Sequence, residues 1–102
     1  MAFTITRIQA NGRELAEIGD PDVIYPLLPP LEDESFNCIR FIDHFGYTFF
    51  NRLQLERQFL PEWARLYEKA SKPEQREILQ RVERLAMEAL RAPHRLLKFV
   101  GD

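Results

Sequence analysis

The sequence predicts an α+β domain in which a two-helix hairpin covers one face of a small antiparallel sheet. Residues 37–54 read as two short strands followed by the start of a helix, and six of the twelve aromatic residues lie between Phe36 and Phe50. Residues 58–91 carry two apolar stripes at helical spacing on either side of Ser71-Lys72-Pro73-Glu74. Strand-like segments flank both regions. A length of 102 residues fits a single domain covering residues 1–102.

The first strand is predicted over residues 2–10, which are rich in threonine and isoleucine. Asn11-Gly12 follows, and this dipeptide tolerates the positive φ angles of a tight hairpin turn. The next segment, Arg13–Ile18, fits a returning strand or a helical turn, and its sequence leaves both open.

A proline-rich crossover comes next, since four of the seven prolines lie within Pro21–Pro30. Prolines fix φ and remove backbone donors, which favours an ordered, extended path over a regular strand. The large apolar residues expected to attach the crossover to the core are Val23, Ile24, Leu27 and Leu28.

A central hairpin is predicted from strands Asn37–Asp43 and Tyr47–Asn51. Gly46 is expected to supply left-handed geometry in the turn, and Asp43 to bond the turn's backbone. Alternation along the first strand places Ile39 and Phe41 on one face and Cys38, Arg40 and Ile42 on the other. Phe49 and Phe50 face opposite sides in any register, so both faces of the sheet are partly apolar.

Two helices follow the hairpin. The first is predicted over Leu55–Ala70, with Leu53–Arg57 as a turn or short separate piece and regular helix from Gln58, which would place Pro61 in the first turn. Its apolar stripe consists of Phe59, Trp63, Leu66, Tyr67 and Ala70.

The second helix is predicted to begin at a capping box in which Ser71 and Glu74 bond each other's amides and Pro73 occupies an early position. It runs to Arg91, and its core-facing residues are Ile78, Leu79, Val82, Leu85, Ala86, Ala89 and Leu90. Because the connection between the two helices is short, the helices are expected to pack as an antiparallel pair. A last strand, His94–Val100, is expected to pair inside the sheet, and Gly101-Asp102 to form a short tail.

Two motifs, RFIDxxGxTxFNRLQ at residues 40–54 and PHxxLxFVGD at residues 93–102, resemble an uncharacterised family of small bacterial proteins. The resemblance covers most of the chain but implies no activity and no site residues. Some small proteins of this kind are carried on mobile gene cassettes. Pro61 departs from the more regular first helix of the family pattern.

Composition excludes several classes of function. Residues 1–34 hold two arginines against seven acidic residues, a net −5, while residues 35–102 hold twelve basic against nine acidic residues, a net +3. This balance lacks the strong basic surplus of a nucleic-acid-binding surface. No apolar run reaches the ~20 residues of a membrane span, and MAFTITRIQ does not read as an export signal. With one cysteine, the expected compartment is the cytoplasm.

The sequence offers no convincing catalytic or metal site. Cys38, His44 and Asp43 are the only candidates for a nucleophile, its base and an orienting acid, and strand geometry would separate Cys38 from Asp43 by ~17 Å. His44 and His94 lack short ligand spacings. No catalytic residue, metal or cofactor is therefore predicted, and an enzyme is disfavoured.

The candidate binding residues fall into two groups, an aromatic and basic group beside the hairpin and an acidic run. They are Arg40, Tyr47, Phe49, Asn51 and Arg52 in the first, and Glu32, Asp33 and Glu34 in the second. Arginine and tyrosine are typical of interface hot spots. An equally compatible role is structural, with Arg52 paired to Asp43 or the acidic run, and the run itself also fits a solvated loop.

Two functions remain open. The favoured one is a non-enzymatic, inhibitor-like or immunity-like protein that binds another protein or itself as a homodimer. The alternative is a ligand-binding or enzymatic domain with a pocket between sheet and helices. Because two helices cover one face only, either the crossover or a second copy is expected on the other.

Overall fold

The computed structural model describes residues 3–9, 11–20 and 22–101. Its four strands are β1 (Phe3–Gln9), β2 (Glu14–Asp20), β3 (Tyr47–Phe50) and β4 (Arg95–Gly101). Its two long helical segments are α1 (residues 52–68) and α2 (Pro73–Ala89), and short 3₁₀ helices form at Tyr25–Leu27 and Ile39–Phe41. Residues 2 and 10 of the first predicted strand, Pro21 of the crossover and Asp102 of the tail lie outside the described residues.

The strands form one antiparallel sheet in the order β2-β1-β4-β3. A turn at Asn11-Gly12 joins β1 and β2 as predicted, and Asn11 Oδ1 accepts a hydrogen bond from the Arg13 amide at 3.0 Å. Gly12 has a φ of 92°, but the φ of Asn11 is not positive, so the turn has one of the two expected positive angles. The segment after the turn is thus a strand. β4 lies between β1 and β3, which confirms the prediction that the last strand pairs inside the sheet. The prediction that Gly101 belongs to a tail is wrong, because β4 extends through Gly101, which pairs with Phe3.

The predicted strand Asn37–Asp43 is wrong, and with it the central hairpin. Ile39–Phe41 is a 3₁₀ helix, and β3 pairs with β4, which is distant in sequence. A 3₁₀ helix repeats every three residues. Ile39 and Ile42 are accordingly both buried, while Phe41 is exposed. The prediction that Phe49 and Phe50 face opposite sides is confirmed, because Phe50 is buried and Phe49 is exposed.

The first helix begins earlier than predicted and is irregular. Asn51 caps it, and α1 then passes through a five-residue π turn at Leu55–Phe59, in which the Leu60 amide donates to the Leu55 carbonyl. A proline in a regular helix clashes with the carbonyl four residues before it. The wider π turn just ahead of Pro61 lets the helix continue through it.

The second helix starts one residue later than the predicted box at Ser71 and Glu74. Pro73 is its first residue, and Lys72 is the N-cap with the extended backbone that a residue before proline prefers. The side chain of Gln75 takes the role assigned to Glu74, since its Oε1 accepts from the Lys72 amide at 3.1 Å.

Both helices pack on the same face of the sheet, which confirms the predicted α+β class. The core between them contains side chains with no solvent exposure, among them Ile5, Phe59, Trp63, Leu97 and Phe99. All seven predicted core positions of the second helix belong to this core or pack against it.

The crossover packs on the helical side as well. Ile24, Leu27 and Leu28 belong to the same core cluster as the helices, and Val23 packs against it. The predicted attachment is therefore confirmed, but the crossover does not cover the other face of the sheet. Register places Thr6, Lys98 and Phe49 side by side on that outer face.

Candidate functional site

The main feature of the outer surface is a group of exposed apolar side chains around β3. We call Leu31, Phe41, Phe45, Tyr47 and Phe49 the aromatic surface. Phe45 is 81% exposed and Tyr47 is 67% exposed, the two highest values among the large apolar side chains of the described chain. Leu31, Phe41 and Phe45 line an open cleft of about 390 Å³.

The loop that presents this surface is held by its own hydrogen bonds. Asp43 Oδ1 accepts from the Phe45 amide at 2.9 Å, as predicted for this turn, and the Asp43 amide donates to Thr48 Oγ1 at 2.8 Å. The expected left-handed geometry of Gly46 is wrong, since its φ is not positive. A Cβ at this position would lie 2.6 Å from Asp43 Oδ2, so a larger residue there would displace the Asp43 side chain.

The loop is also fixed to the sheet. The Gly101 amide donates to the Gly46 carbonyl at 2.8 Å. The ring of His44 packs edge-on against the rings of Phe3 and Tyr25, with centroids 5.8 and 4.9 Å apart. His44 is thus a packing residue of the loop.

Glu62 fixes the segment before the loop, and sequence reasoning missed it. Its side chain is buried, and its two carboxylate oxygens accept the backbone amides of Asn37 at 2.7 Å, Cys38 at 3.0 Å and Ile39 at 2.9 Å. These amides stand at the start of the 3₁₀ helix, where backbone donors lack partners. A signal was present, because Glu62 lies three residues after Phe59 and four before Leu66, inside the apolar stripe.

Arg40 connects two parts of the cleft. Its guanidinium lies 4.4 Å from the centroid of the Phe41 ring, and Nη1 donates to the Leu31 carbonyl at 2.6 Å. On the outer face, Lys98 Nζ lies 4.9 Å from the Tyr47 ring centroid and 6.0 Å from that of Phe49. Of the predicted binding residues, Arg40, Tyr47 and Phe49 therefore belong to the aromatic surface or contact it.

Asn51 and Arg52 have different positions from those expected. Asn51 is a helix cap, since its Oδ1 accepts from the Gln54 amide and its own amide donates to Gln54 Oε1, both at 2.9 Å. Arg52 is exposed at the first helical position. Within the described chain it forms no ion pair with Asp43 or the acidic run, so the alternative pairing is not observed.

The acidic run is partly ordered by its neighbours. Asp33 Oδ1 accepts from the amide and hydroxyl of Ser35, and these bonds hold the pKa of Asp33 below its usual value. Arg65 donates to the Ser35 carbonyl at 2.7 Å and lies 3.9 Å from the centroid of the Phe36 ring. Glu32 and Glu34 are exposed.

The environment of Cys38 does not activate a thiolate. The side chain is buried, as predicted, although in a turn and not in a strand. Loss of solvation, followed by the charge of Glu62, raises the pKa of Cys38 to about 12. The thiol is therefore protonated at neutral pH.

The described residues include no group of three histidine, cysteine, aspartate or glutamate side chains placed to hold a metal ion. They also include no helix with the length and apolar content required to cross a membrane.

Comparison with protein-family models, curated proteins and solved structures gave no match. The resemblance noted in the sequence thus gains no family assignment from them. The function has to be argued from the geometry of the chain itself.

Proposed function

We propose that this chain is a non-enzymatic protein-binding factor, an inhibitor-like or immunity-like small bacterial protein of the type found on mobile gene cassettes. The single observation that carries the proposal is the aromatic surface. Exposed apolar patches mark interaction sites on soluble proteins. Aromatic residues and arginine are enriched at the interface positions that contribute most of the binding free energy.

The order of the surface supports the same proposal. The Asp43 turn, the Arg40 bond to the Leu31 carbonyl and the three amide bonds to Glu62 hold the loop in one arrangement. A surface that is ordered before binding loses less conformational entropy when its partner docks. The exposed rings are therefore suited to bind a partner without rearrangement of the loop.

The alternative is a ligand or enzymatic pocket between sheet and helices. The space there is filled by Phe59, Trp63, Leu97 and Phe99, none of which is exposed. The raised pKa of Cys38 also disfavours a cysteine nucleophile. A net charge of −2 favours a protein partner over nucleic acid, and a single buried thiol suits the cytoplasm.

A second copy of the chain is the first partner that we propose. The outer face of the sheet is free of helices and crossover, and Tyr47 and Phe49 lie on it in the edge strand β3. A two-fold axis beside this edge would bring the same rings from both copies together. Residues Glu32, Asp33, Glu34, Asn51 and Arg52 would then contribute at most to a polar rim.

Light scattering at micromolar concentration tests this partner. We expect about twice the chain mass of 12.1 kDa for the wild type and a folded monomer for the double variant Tyr47→Ser, Phe49→Ser. Met87→Ser is the matched control, because Met87 is an exposed apolar residue on α2, away from β3. A wild-type monomer would exclude the second copy and leave a different protein as the partner.

In that case, the partner is identified by affinity capture and then reconstituted from purified components. The double variant should bind it at least about tenfold more weakly, which corresponds to ~1.4 kcal/mol, while Met87→Ser should bind it like the wild type. Equal binding by both variants would refute the aromatic surface as the binding site.

A further inference from the structure

A second cleft, of about 340 Å³, lies between the helix α2 and the strands β1 and β2. It is lined by Arg7, Ile18, Arg81, Arg84, Leu85 and Glu88. Arg7 stands four residues along β1 from Phe3, which contacts the His44 loop, so ~13 Å of strand separates the two regions. The cleft is thus distinct from the aromatic surface, and nothing proposed above uses it.

Two arginines beside the cleft have local partners. Arg91 pairs with Glu88 Oε1 at 3.5 Å, and Arg95 Nη1 donates to the Glu88 main-chain carbonyl at 3.1 Å. Both lie at the C-terminal end of α2, where the helix dipole favours cations. Each of these two arginines thus has a partner at the helix end, although the buried Nε of Arg95 makes no hydrogen bond to a described residue.

Arg7 is not paired at short distance in the way that Arg91 and Arg95 are. Its side chain is only 17% exposed, and its one ion pair with a described residue, from Nη1 to Glu88 Oε2, measures 3.7 Å, which is too long for a hydrogen bond. Its Nε is buried and makes no hydrogen bond to any described residue. A buried charged donor without a partner is costly, but this Nε is out of reach of a ligand, and the Nε atoms of Arg40 and Arg95 are in the same state. What Arg7 offers an anion is its charge at the cleft, which among the described residues is paired through one long contact to Glu88.

Arg81 and Arg84 add two more cations on the same side of α2. They are three residues apart, and Arg84 is four residues from Glu88, so the three side chains share one helix face. Both arginines are exposed, and neither forms an ion pair within the described part of the chain. Three arginines and one acidic residue, Glu88, line the cleft, which is a formal excess of two positive charges among its lining residues. Arg81 also lines a neighbouring cleft with Glu74 and Glu77.

The rest of the lining is apolar. Ile18 from β2 and Leu85 from α2 are each 7% exposed and form part of the core cluster. A cleft with three guanidinium groups above an apolar floor suits a ligand that has an anionic group and an apolar part.

The geometry points to a binding site for a small phosphate monoester, in which Arg7, Arg81 and Arg84 hold the phosphate and the organic group lies against Ile18 and Leu85. A phosphate monoester carries a charge of about −1.5 to −2 at neutral pH, which matches the local excess. Its oxygens match the paired donors of guanidinium groups, which bind phosphate with two parallel hydrogen bonds.

Phenyl phosphate is the probe for this site, with binding measured by titration calorimetry on the full chain at low ionic strength. The test variant is Arg81→Gln, Arg84→Gln, which removes two exposed arginines and should leave folding intact. Arg52→Gln, Arg57→Gln is the control, because it also removes two exposed charges but away from the cleft. We expect saturable binding that the test variant weakens at least about tenfold, a difference of ~1.4 kcal/mol, and that the control changes less than twofold.

Two further ligands separate the contributions. Inorganic phosphate should bind more weakly than phenyl phosphate, because it lacks the group that contacts the apolar floor. Succinate supplies two carboxylates in place of the phosphate, and tighter binding of succinate would overturn the assignment to phosphate esters.

A second readout follows Arg7 itself. The NMR signal of its Nε proton, identified by its loss in Arg7→Lys, should shift when phenyl phosphate is added. No saturable binding, or equal weakening by the test and control variants, would refute the site. Neither result bears on the aromatic surface, whose test uses different residues and a different readout.

Discussion

At the scale of single residues, Glu62 has the largest influence on the candidate site. A carboxylate that accepts three backbone amides fixes the direction of the chain at residues 37–39 and thereby the position of Phe41. Hydrogen bonds to charged groups contribute more than those between neutral groups. Glu62 is therefore a structural residue that shapes a surface without being part of it.

The variant Glu62→Gln should lower the free energy of unfolding by ~1.5–3 kcal/mol, because an amide has one acceptor oxygen and turns its NH₂ group toward backbone donors. Chemical denaturation measures the loss. Glu68→Gln is the control, since Glu68 is exposed at the end of α1, and it should change stability by less than about 0.5 kcal/mol. Equal effects of the two variants would contradict the assigned role.

Ionisation of Cys38 and Tyr67 should destabilise the folded protein at alkaline pH. Loss of solvation raises the pKa of Cys38 from 9.0 to about 12 and, together with Glu83, raises that of Tyr67 from 10.0 to about 12. Both groups ionise more readily in the unfolded chain. Their contribution is complete below about pH 9 and is lost as the pH rises toward 12.

Denaturation curves from pH 8 to 12 measure this fall. Cys38→Ala should flatten it, compared with a matched series for the wild type, and an unchanged slope would contradict the shift at Cys38. In the native state at neutral pH, alkylation of Cys38 should be much slower than in the unfolded chain.

At the scale of elements, local sequence predicted most strands and helices but not where each begins. The capping pattern around Pro73 was recognisable, and its register was wrong by one residue because proline forces the preceding Lys72 into an extended conformation. Pro61 indicated a helix start, yet a π turn carries α1 through it.

The contact between β4 and the His44 loop requires glycine at position 101. A Cβ there would lie 2.3 Å from the main-chain carbon and oxygen of His44, and backbone atoms cannot move aside easily. Gly101→Ala should therefore destabilise the protein by ~1–3 kcal/mol.

Gly19→Ala is the matched control for this substitution. Gly19 is also a strand glycine without a positive φ, and a Cβ would meet no atom within 4 Å. Thermal and chemical denaturation should show a change of less than about 1 kcal/mol. Similar losses for both variants would indicate a general intolerance of alanine in these strands.

At the scale of the whole molecule, one core joins the sheet, both helices and the crossover. On the other face of the sheet Phe49 is exposed at the edge strand, while Thr6 and Ile8 of β1 are buried. Trp63 lies at the centre of this core. It stacks on Phe59 with ring centroids 5.1 Å apart, and its Nε1 donates to the Leu79 carbonyl of α2 at 2.9 Å. The residue thus links the two helices to each other.

Trp63→Ala should cost ~3–5 kcal/mol in the free energy of unfolding, because it leaves a large cavity in a closely packed region. Chemical denaturation measures this cost. Met87→Ala, at an exposed position on α2, should cost less than about 0.5 kcal/mol. A loss below 1 kcal/mol for Trp63→Ala would contradict its central position.

The sequence by itself determined the features that depend on neighbouring residues. The turn at Asn11-Gly12, the apolar stripes of both helices and the opposite directions of Phe49 and Phe50 follow from local backbone sterics and periodicity. The α+β class follows from these patterns, and so does the inference that one sheet face stays uncovered by helices. Of the predicted site residues, Tyr47 and Phe49 lie on the same side of β3 because they are two residues apart in one strand, and the Lys98 ammonium lies near both rings.

Only the tertiary structure decided the features that depend on distant residues. The segment 37–43 has a strand-like sequence, but Glu62, more than twenty residues away, binds the amides of residues 37–39 at the start of the 3₁₀ helix Ile39–Phe41. The pairing of β3 with β4, the packing of the crossover on the core and the cleft lined by Arg7, Arg81 and Arg84 likewise depend on separate elements. No local pattern encodes them, because their energies come from groups that become neighbours only when the chain folds.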